Sequence, residues 1–135
     1  MRTRMAAAIA ATLIAGTACS GSTTDPTVPG VDVSIQPHAE TRGSSAFAPS
    51  PFTLSLASDG SVKWRNGDVG TSGDAYGNGA TSGTTHTITS DTQGAFDSGS
   101  LAPGATFEHT FTTAGTYHYH CSIHPTMTGV IVVNP

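Results

Sequence analysis

The sequence predicts an all-β domain, folded as a two-sheet sandwich of seven or eight short strands. The chain has 135 residues, which is enough for one domain with one modest core. Its 16 glycines and 8 prolines favour turns and disfavour helices. Several segments alternate apolar and polar residues with a period of two, which is typical of half-buried strands separated by turns.

Residues 1–18 have the pattern of an export signal. Arg2 and Arg4 precede an apolar run, and small residues follow it up to Cys19. The run is too short for a transmembrane helix. Because a cysteine at the first mature position resembles the lipobox of bacterial lipoproteins, we expect a periplasmic or cell-surface protein held to the membrane only by lipid on Cys19. The alternative is a soluble periplasmic or secreted protein.

Residues 19–30 are expected to form a flexible tether, and residues 31–135 the domain. The tether consists of small or polar residues and proline, with only Val28 to pack against a core. Two cysteines in an exported protein would ordinarily indicate a disulfide. With Cys19 in a tether or carrying lipid, Cys121 is a lone thiol that needs another explanation.

The predicted mature chain is acidic. Without the signal, only Arg42, Lys63 and Arg65 oppose nine Asp and Glu residues. Such a chain would repel the phosphates of nucleic acids, and it offers no basic patch to an anionic membrane surface. A protein partner with a positive face matches this charge better. We expect a monomer that contacts such partners transiently.

The strands can be placed from their alternating residues. The first is expected at 31–35, and segment 52–64 predicts two strands joined by a hairpin turn at Asp59 and Gly60. A long Gly-rich loop then covers 66–84.

Four further strands are expected at 84–90, 104–111, 115–121 and 129–133. The first of these places His86 inward, and the third places Cys121 inward with His118 and His120 outward. The last is apolar throughout, which is typical of a central strand. We expect the core aromatic residues to be Trp64, Phe107, Phe111, Tyr117 and Tyr119, with His38 and His109 structural or solvated.

Near the end of the chain, Cys121, His124 and Met127 follow the spacing C-x-x-H-x-x-M. A thiolate, an imidazole and a thioether are soft ligands, which select copper over magnesium or calcium. His86 is the candidate for a second imidazole, because it faces inward on a different strand. Two histidines and a cysteine with a weak axial methionine are the ligands of a blue copper electron-transfer site.

The chain resembles the cupredoxins, and within the plastocyanin family its ligand loop is most similar to that of amicyanin. The matching segments are YHYHCSIHPTMTGVIVV, FDSGSLAPGATFEHTF, FAPSPFTL, SVKWRN and HTIT, which together span about residues 31 to 135. The resemblance implies a cupredoxin-type Greek-key sandwich of eight strands. It also implies one type 1 copper ion at the end of that sandwich, ligated by His86, Cys121, His124 and Met127.

The resemblance also assigns roles around this site. His124 is expected at the protein surface, where it would offer the electron path to redox partners that dock nearby. In the family, the residues after the first histidine and after the cysteine hydrogen-bond to each other, commonly through asparagine; here they are Thr87 and Ser122. The Gly-rich segment is longer than the corresponding family connection.

The leading functional hypothesis is a one-electron carrier outside the cytoplasm, and not an enzyme. The alternative is a protein that transports or stores copper without redox duty. A multicopper oxidase or reductase is disfavoured, because those enzymes place histidines on both sides of the cysteine, whereas Ser122 follows Cys121.

Overall fold

The computed structural model describes residues 30–70 and 83–135. The predicted export signal, the tether apart from Gly30, and most of the Gly-rich segment lie outside this part of the chain. No helix among the described residues is long and apolar enough to cross a membrane.

Eight short strands form two four-stranded sheets, which confirms the predicted all-β sandwich. The strands are β1 (Val33–Ile35), β2 (Phe47–Ala48), β3 (Phe52–Ser55), β4 (Ser61–Asn66), β5 (Thr89–Ser90), β6 (Thr106–Thr110), β7 (Gly115–His120) and β8 (Thr128–Asn134). One sheet has the order β2-β1-β4-β6, and the other has the order β3-β8-β7-β5. Both sheets are mixed, since β1 runs parallel to β4 and β3 runs parallel to β8.

The hairpin expected around Asp59 and Gly60 is wrong, because the two flanking strands belong to different sheets. β3 pairs with β8, whereas β4 pairs with β1 and β6. Gly60 has a φ of 69°, and its carbonyl accepts a hydrogen bond from the Phe111 amide at 2.8 Å. The turn therefore carries the chain across the sandwich instead of back along the same sheet.

The core lies between the sheets around Trp64 and Tyr119, which are both fully buried. The ring centre of Trp64 lies 5.7 Å from that of Phe107, 5.8 Å from that of Tyr119 and 5.9 Å from that of Phe96. Such aromatic pairs contribute about 0.5–1.5 kcal/mol each beyond the burial of their area. The predicted core aromatic residues are confirmed, with Phe107 and Tyr117 partly buried against the others.

The elements that carry the candidate ligands are neighbours. β8 lies between β3 and β7, as its apolar sequence predicted. Cys121 directly follows β7, and the loop from β7 to β8 carries His124 and Met127. His86 lies just before β5 and forms an isolated bridge with Leu101. Because β5 pairs with β7, the segment that holds His86 lies beside the loop that begins at Cys121.

Candidate metal centre

The loop after β7 is closed by its own backbone hydrogen bonds. The His124 amide donates to the Cys121 carbonyl at 3.2 Å, and the Met127 amide donates to the His124 carbonyl at 2.9 Å. The Cys121 amide in turn donates to the Met127 carbonyl at 3.1 Å. These bonds hold the three residues of the C-x-x-H-x-x-M motif in one compact turn between two paired strands.

Three of the four predicted ligands meet at one point. The Cys121 sulfur lies 3.8 Å from Nδ1 of His86 and 3.8 Å from Nδ1 of His124. Each residue offers one ligand atom, and these three atoms lie within 4.8 Å of one another. His86 and Cys121 are fully buried, and His124 is partly exposed. The structure thus brings together two segments that are far apart in the sequence.

The spacing of these atoms fits a bound metal ion. With metal bonds of about 2.3 Å to sulfur and about 2.0 Å to nitrogen, as zinc forms, a trigonal arrangement puts sulfur and nitrogen about 3.7 Å apart. The sulfur-to-nitrogen distances of 3.8 Å are close to this value. One thiolate and two imidazoles are also the donor set that suits copper. A metal ion could therefore bind with little movement of these side chains.

Met127, the fourth predicted ligand, is fully buried and belongs to the same cluster of buried residues as Cys121. Its backbone closes the ligand loop through the two hydrogen bonds described above. Burial shields the Met127 side chain from water, which suits a weakly bound thioether.

Hydroxyl groups connect the two ligand-bearing segments. The Thr87 amide donates to the Cys121 sulfur at 3.3 Å, and Oγ1 of Thr87 accepts a hydrogen bond from the Ser122 amide at 2.7 Å. The Ser122 hydroxyl also donates to Oγ1 of Thr89 at 2.8 Å. Threonine thus provides the link that the family commonly makes through asparagine, so the departure in sequence does not remove the connection.

We expect Thr87→Val to lower the free energy of unfolding of the metal-free protein by about 1 kcal/mol, the usual net contribution of a hydrogen bond. Valine keeps the shape of threonine but removes the oxygen that accepts from the Ser122 amide. Chemical denaturation measures the effect, and Thr87→Ser, which keeps the hydroxyl, is the control. Equal midpoints for Thr87→Val and the unmodified protein would show that this link contributes nothing.

Hydrogen bonds shift the pKa values of two buried candidate ligands, Cys121 and His86. Burial alone raises the pKa of Cys121, but hydrogen bonds from the His86 ring, the Thr87 amide and His124 outweigh it and lower the pKa to about 6. For His86, burial lowers the pKa, but contacts with Cys121 and Asp68 outweigh it and raise the pKa. The metal-free site therefore holds the sulfur as a thiolate at neutral pH, which is the form that binds metal.

The ultraviolet absorbance of the thiolate in the metal-free protein should therefore titrate near pH 6, well below the ordinary thiol pKa of 9.0. Because the pKa is lower in the folded state, the stability contributed by the ionised thiol is fully present above pH 9.0 and is lost as the pH falls to about 6. Denaturation at several pH values measures this loss. Cys121→Ser is the reference that lacks the thiol, and a thiolate signal that appears only near pH 9 would contradict the prediction.

Among the described residues, the other four histidines do not join the cluster formed by His86, Cys121 and His124. His118 is exposed. His120 is partly exposed, and its Nδ1 lies 2.6 Å from Oδ1 of Asp91. His109 is partly buried with its ring centre 5.0 Å from that of Phe96, and His38 is exposed.

Asp68 contacts a candidate ligand but was not predicted from the sequence, because it lies in the segment expected to form a loop. Its Oδ2 is 2.9 Å from Nε2 of His86, and only 6% of its side chain is exposed. Although burial raises the pKa of Asp68, hydrogen bonds from His86 and from the His38 amide outweigh it and lower the pKa. The only signal in the sequence was an acidic residue two positions after the end of a strand, which is too common to indicate a role.

Comparison with known proteins identifies the family that this site resembles. The profile described as copper binding proteins, plastocyanin/azurin family, matches residues 39–134. No curated protein matches the chain.

Several solved structures resemble the chain. A purple cupredoxin from Nitrosopumilus maritimus is 25% identical, with 76% of this chain and 97% of that chain covered and a TM-score of 0.57. A copper-containing nitrite reductase from Thermus scotoductus SA-01 is 33% identical, with 66% of this chain and 20% of that chain covered and a TM-score of 0.48. Amicyanin from Paracoccus versutus is 22% identical, with 65% of this chain and 72% of that chain covered and a TM-score of 0.46.

Proposed function

Because the chain belongs to the plastocyanin/azurin family of copper-binding proteins, we propose that it is a one-electron carrier with one type 1 copper ion. The proposed ligands are His86, Cys121, His124 and Met127. The observation that carries the proposal is the buried meeting point of one sulfur and two ring nitrogens, all within 4.8 Å.

The protein residues would hold the ion and limit structural change. A copper ion bound there supplies a reversible Cu(I)/Cu(II) couple. The Cys121 thiolate, the Nδ1 atoms of His86 and His124, and the Met127 thioether would bind it. The pairing of β7 with β8 and β5 and the hydrogen bonds around Thr87 restrain these side chains. Such restraint favours electron transfer, because a rigid site need not rearrange when the oxidation state changes.

The surface beside His124 is the proposed docking site for redox partners. His124 is partly exposed, and its neighbour Ile123 is 49% exposed, the one large hydrophobic side chain that is exposed among the described residues. An apolar contact at this point would place a partner next to a copper ligand. The acidic chain suits partners with a positive face, in brief encounters.

Burial of the site supports electron transfer over catalysis. The ligand atoms of His86 and Cys121 and the side chain of Met127 are closed off from solvent, so a substrate would have to displace a ligand to reach the ion. Catalytic metal sites instead keep an open position for water or substrate. We therefore propose a carrier and not an enzyme.

We also propose that the protein acts outside the cytoplasm, anchored by lipid on Cys19. The export-signal pattern of residues 1–18 and the small residues before Cys19 support this location. Mass spectrometry of the membrane-extracted protein tests the lipid anchor. A peptide that begins at Cys19 and has an increased mass supports lipidation, whereas an unmodified protein in the soluble fraction contradicts the anchor.

Copper reconstitution tests the proposed function. The protein should bind one copper ion per chain. Its Cu(II) form should show an intense visible colour and the narrow EPR splitting of a type 1 site, and the bound copper should give a reversible one-electron voltammogram. A colourless copper-loaded protein would overturn the proposal. Rapid loss of copper to a weak chelator, without a reversible potential, would favour copper transport or storage.

A further inference from the structure

The two ring nitrogens of His86 face different partners. Nδ1 lies 3.8 Å from the Cys121 sulfur, and Nε2 lies 2.9 Å from Oδ2 of Asp68. A neutral imidazole carries a hydrogen on one nitrogen and a lone pair on the other, whereas a carboxylate can only accept a hydrogen bond. The Cys121 thiolate and the Asp68 carboxylate can both accept from the ring, but the Asp68 oxygen is the nearer, at 2.9 Å against 3.8 Å for the sulfur. When the ring is neutral and has only one hydrogen, Asp68 therefore favours the tautomer with that hydrogen on Nε2, which leaves the lone pair of Nδ1 pointing toward the metal centre.

Asp68 is itself held in place by several hydrogen bonds. Its Oδ1 accepts from the His38 amide at 3.0 Å, and its own amide donates to Oδ1 of Asn66 at 3.0 Å. The fully buried Asn66 donates from Nδ2 to the carbonyls of Thr84 at 2.8 Å and Leu101 at 2.9 Å. The position of the carboxylate thus depends on a network of its own.

The same network holds the backbone of His86. The His86 amide donates to the Leu101 carbonyl at 3.2 Å, and the Leu101 amide donates back at 2.8 Å. Leu101 also accepts the bond from Asn66. Leu101 is therefore bonded to the backbone of His86 and, through Asn66, linked to Asp68. This shared residue limits how far the imidazole and the carboxylate can separate.

The backbone conformation of His38 also helps to hold the Asp68 carboxylate. His38 has a φ of 57°, the one positive φ of a non-glycine residue among the described residues. Such a conformation costs of order 1 kcal/mol unless the surroundings compensate for it. In this conformation the His38 amide donates to Asp68.

We propose that Asp68 is a positioning residue that holds His86 in the Nε2–H tautomer and lowers the reduction potential of the proposed copper site. The proposal rests on the electron-carrier function. A carboxylate hydrogen-bonded to the far nitrogen makes the imidazole a stronger donor. A stronger donor with a negative charge behind it stabilises Cu(II) more than Cu(I), because Cu(II) carries the larger charge.

The test compares Asp68→Asn with the unmodified protein. Asparagine keeps the size of the side chain but removes the charge and weakens the acceptor. Partners of metal-binding histidines typically contribute 10- to 100-fold to metal affinity. We expect the ratio of Cu(II) to Cu(I) affinity to fall about tenfold, which raises the reduction potential by about 59 mV for a one-electron couple.

Glu40→Gln is the matched control. Glu40 has a ligand atom within 4.8 Å of those of Asp68 and His86, but no hydrogen bond joins it to His86 among the described residues. Its substitution also removes one nearby negative charge. If the hydrogen bond sets the potential, Asp68→Asn shifts it clearly more than Glu40→Gln does. Equal shifts would show that only the local charge matters and would overturn the positioning role.

A second readout needs no copper. Nitrogen-15 NMR of the metal-free protein at alkaline pH should show His86 as the Nε2–H tautomer, and Asp68→Asn should weaken that preference. An Nδ1–H tautomer in the unmodified protein would overturn the proposal. An Nε2–H tautomer that Asp68 controls, together with a colourless copper-loaded protein, would instead overturn the proposed function while the positioning of His86 stands.

Discussion

Replacing Cys121 with serine is expected to abolish the intense visible absorption of the copper-loaded protein. That absorption arises from the bond between copper and a thiolate, which a hydroxyl cannot form. Cys121 is fully buried, so a ligand from solvent cannot readily take the place of its sulfur. Removing the hydrogen-bonding partner of a metal ligand typically lowers metal affinity roughly 10- to 100-fold. Removing the ligand itself should lower the Cu(II) affinity by more than this. Visible spectra and copper titrations measure both effects.

The chain supplies a control of the same chemistry. Cys19→Ser replaces the other cysteine, which lies in the predicted tether, and it should leave colour and affinity unchanged. Because serine is close to cysteine in size, metal-free Cys121→Ser should still fold, which circular dichroism can check. A folded Cys121→Ser protein that keeps the visible band would show that this sulfur does not bind copper.

The ligand loop could be predicted because its information is local. Three proposed ligands lie within seven residues, and the alternation in β7 predicts that Cys121 faces inward. By the same reasoning a period of two predicts His86 on the inward face before β5, and His86 is fully buried there. Both inferences depend on neighbours in the chain, for which sequence patterns are informative.

Contacts between distant segments could not be predicted in the same way. Alternation shows that β3 and β4 are strands, but both would look the same whether they paired with each other or with other strands. Asp68 is a stronger example, because its importance depends on an imidazole 18 residues later in the chain. Nothing near Asp68 in the sequence distinguishes it from an ordinary loop residue.

Gly129→Ala is expected to destabilise the protein strongly. Gly129 in β8 lies directly opposite Tyr119 in β7, and a Cβ at this position would overlap the Tyr119 ring, with Cε1 only 2.8 Å away. That ring is fully buried, with its centre 4.8 Å from that of Phe47 and 5.8 Å from that of Trp64, so it has no room to move. Overpacking of this kind typically costs about 1–3 kcal/mol.

Gly115→Ala provides the matched control on the same pair of strands. The nearest atom to a Cβ at position 115 would be Cε2 of Tyr117, at an ordinary distance of 3.6 Å, so we expect little change in the denaturation midpoint. Gly129 and Tyr119 each lie two residues from a proposed ligand, Met127 and Cys121. Displacing the Tyr119 ring should therefore also shift the visible spectrum of copper-loaded Gly129→Ala. Equal midpoints for the two variants would mean that the core around Tyr119 is looser than the structure shows, and that the rigidity of the site must come from the ligand loop alone.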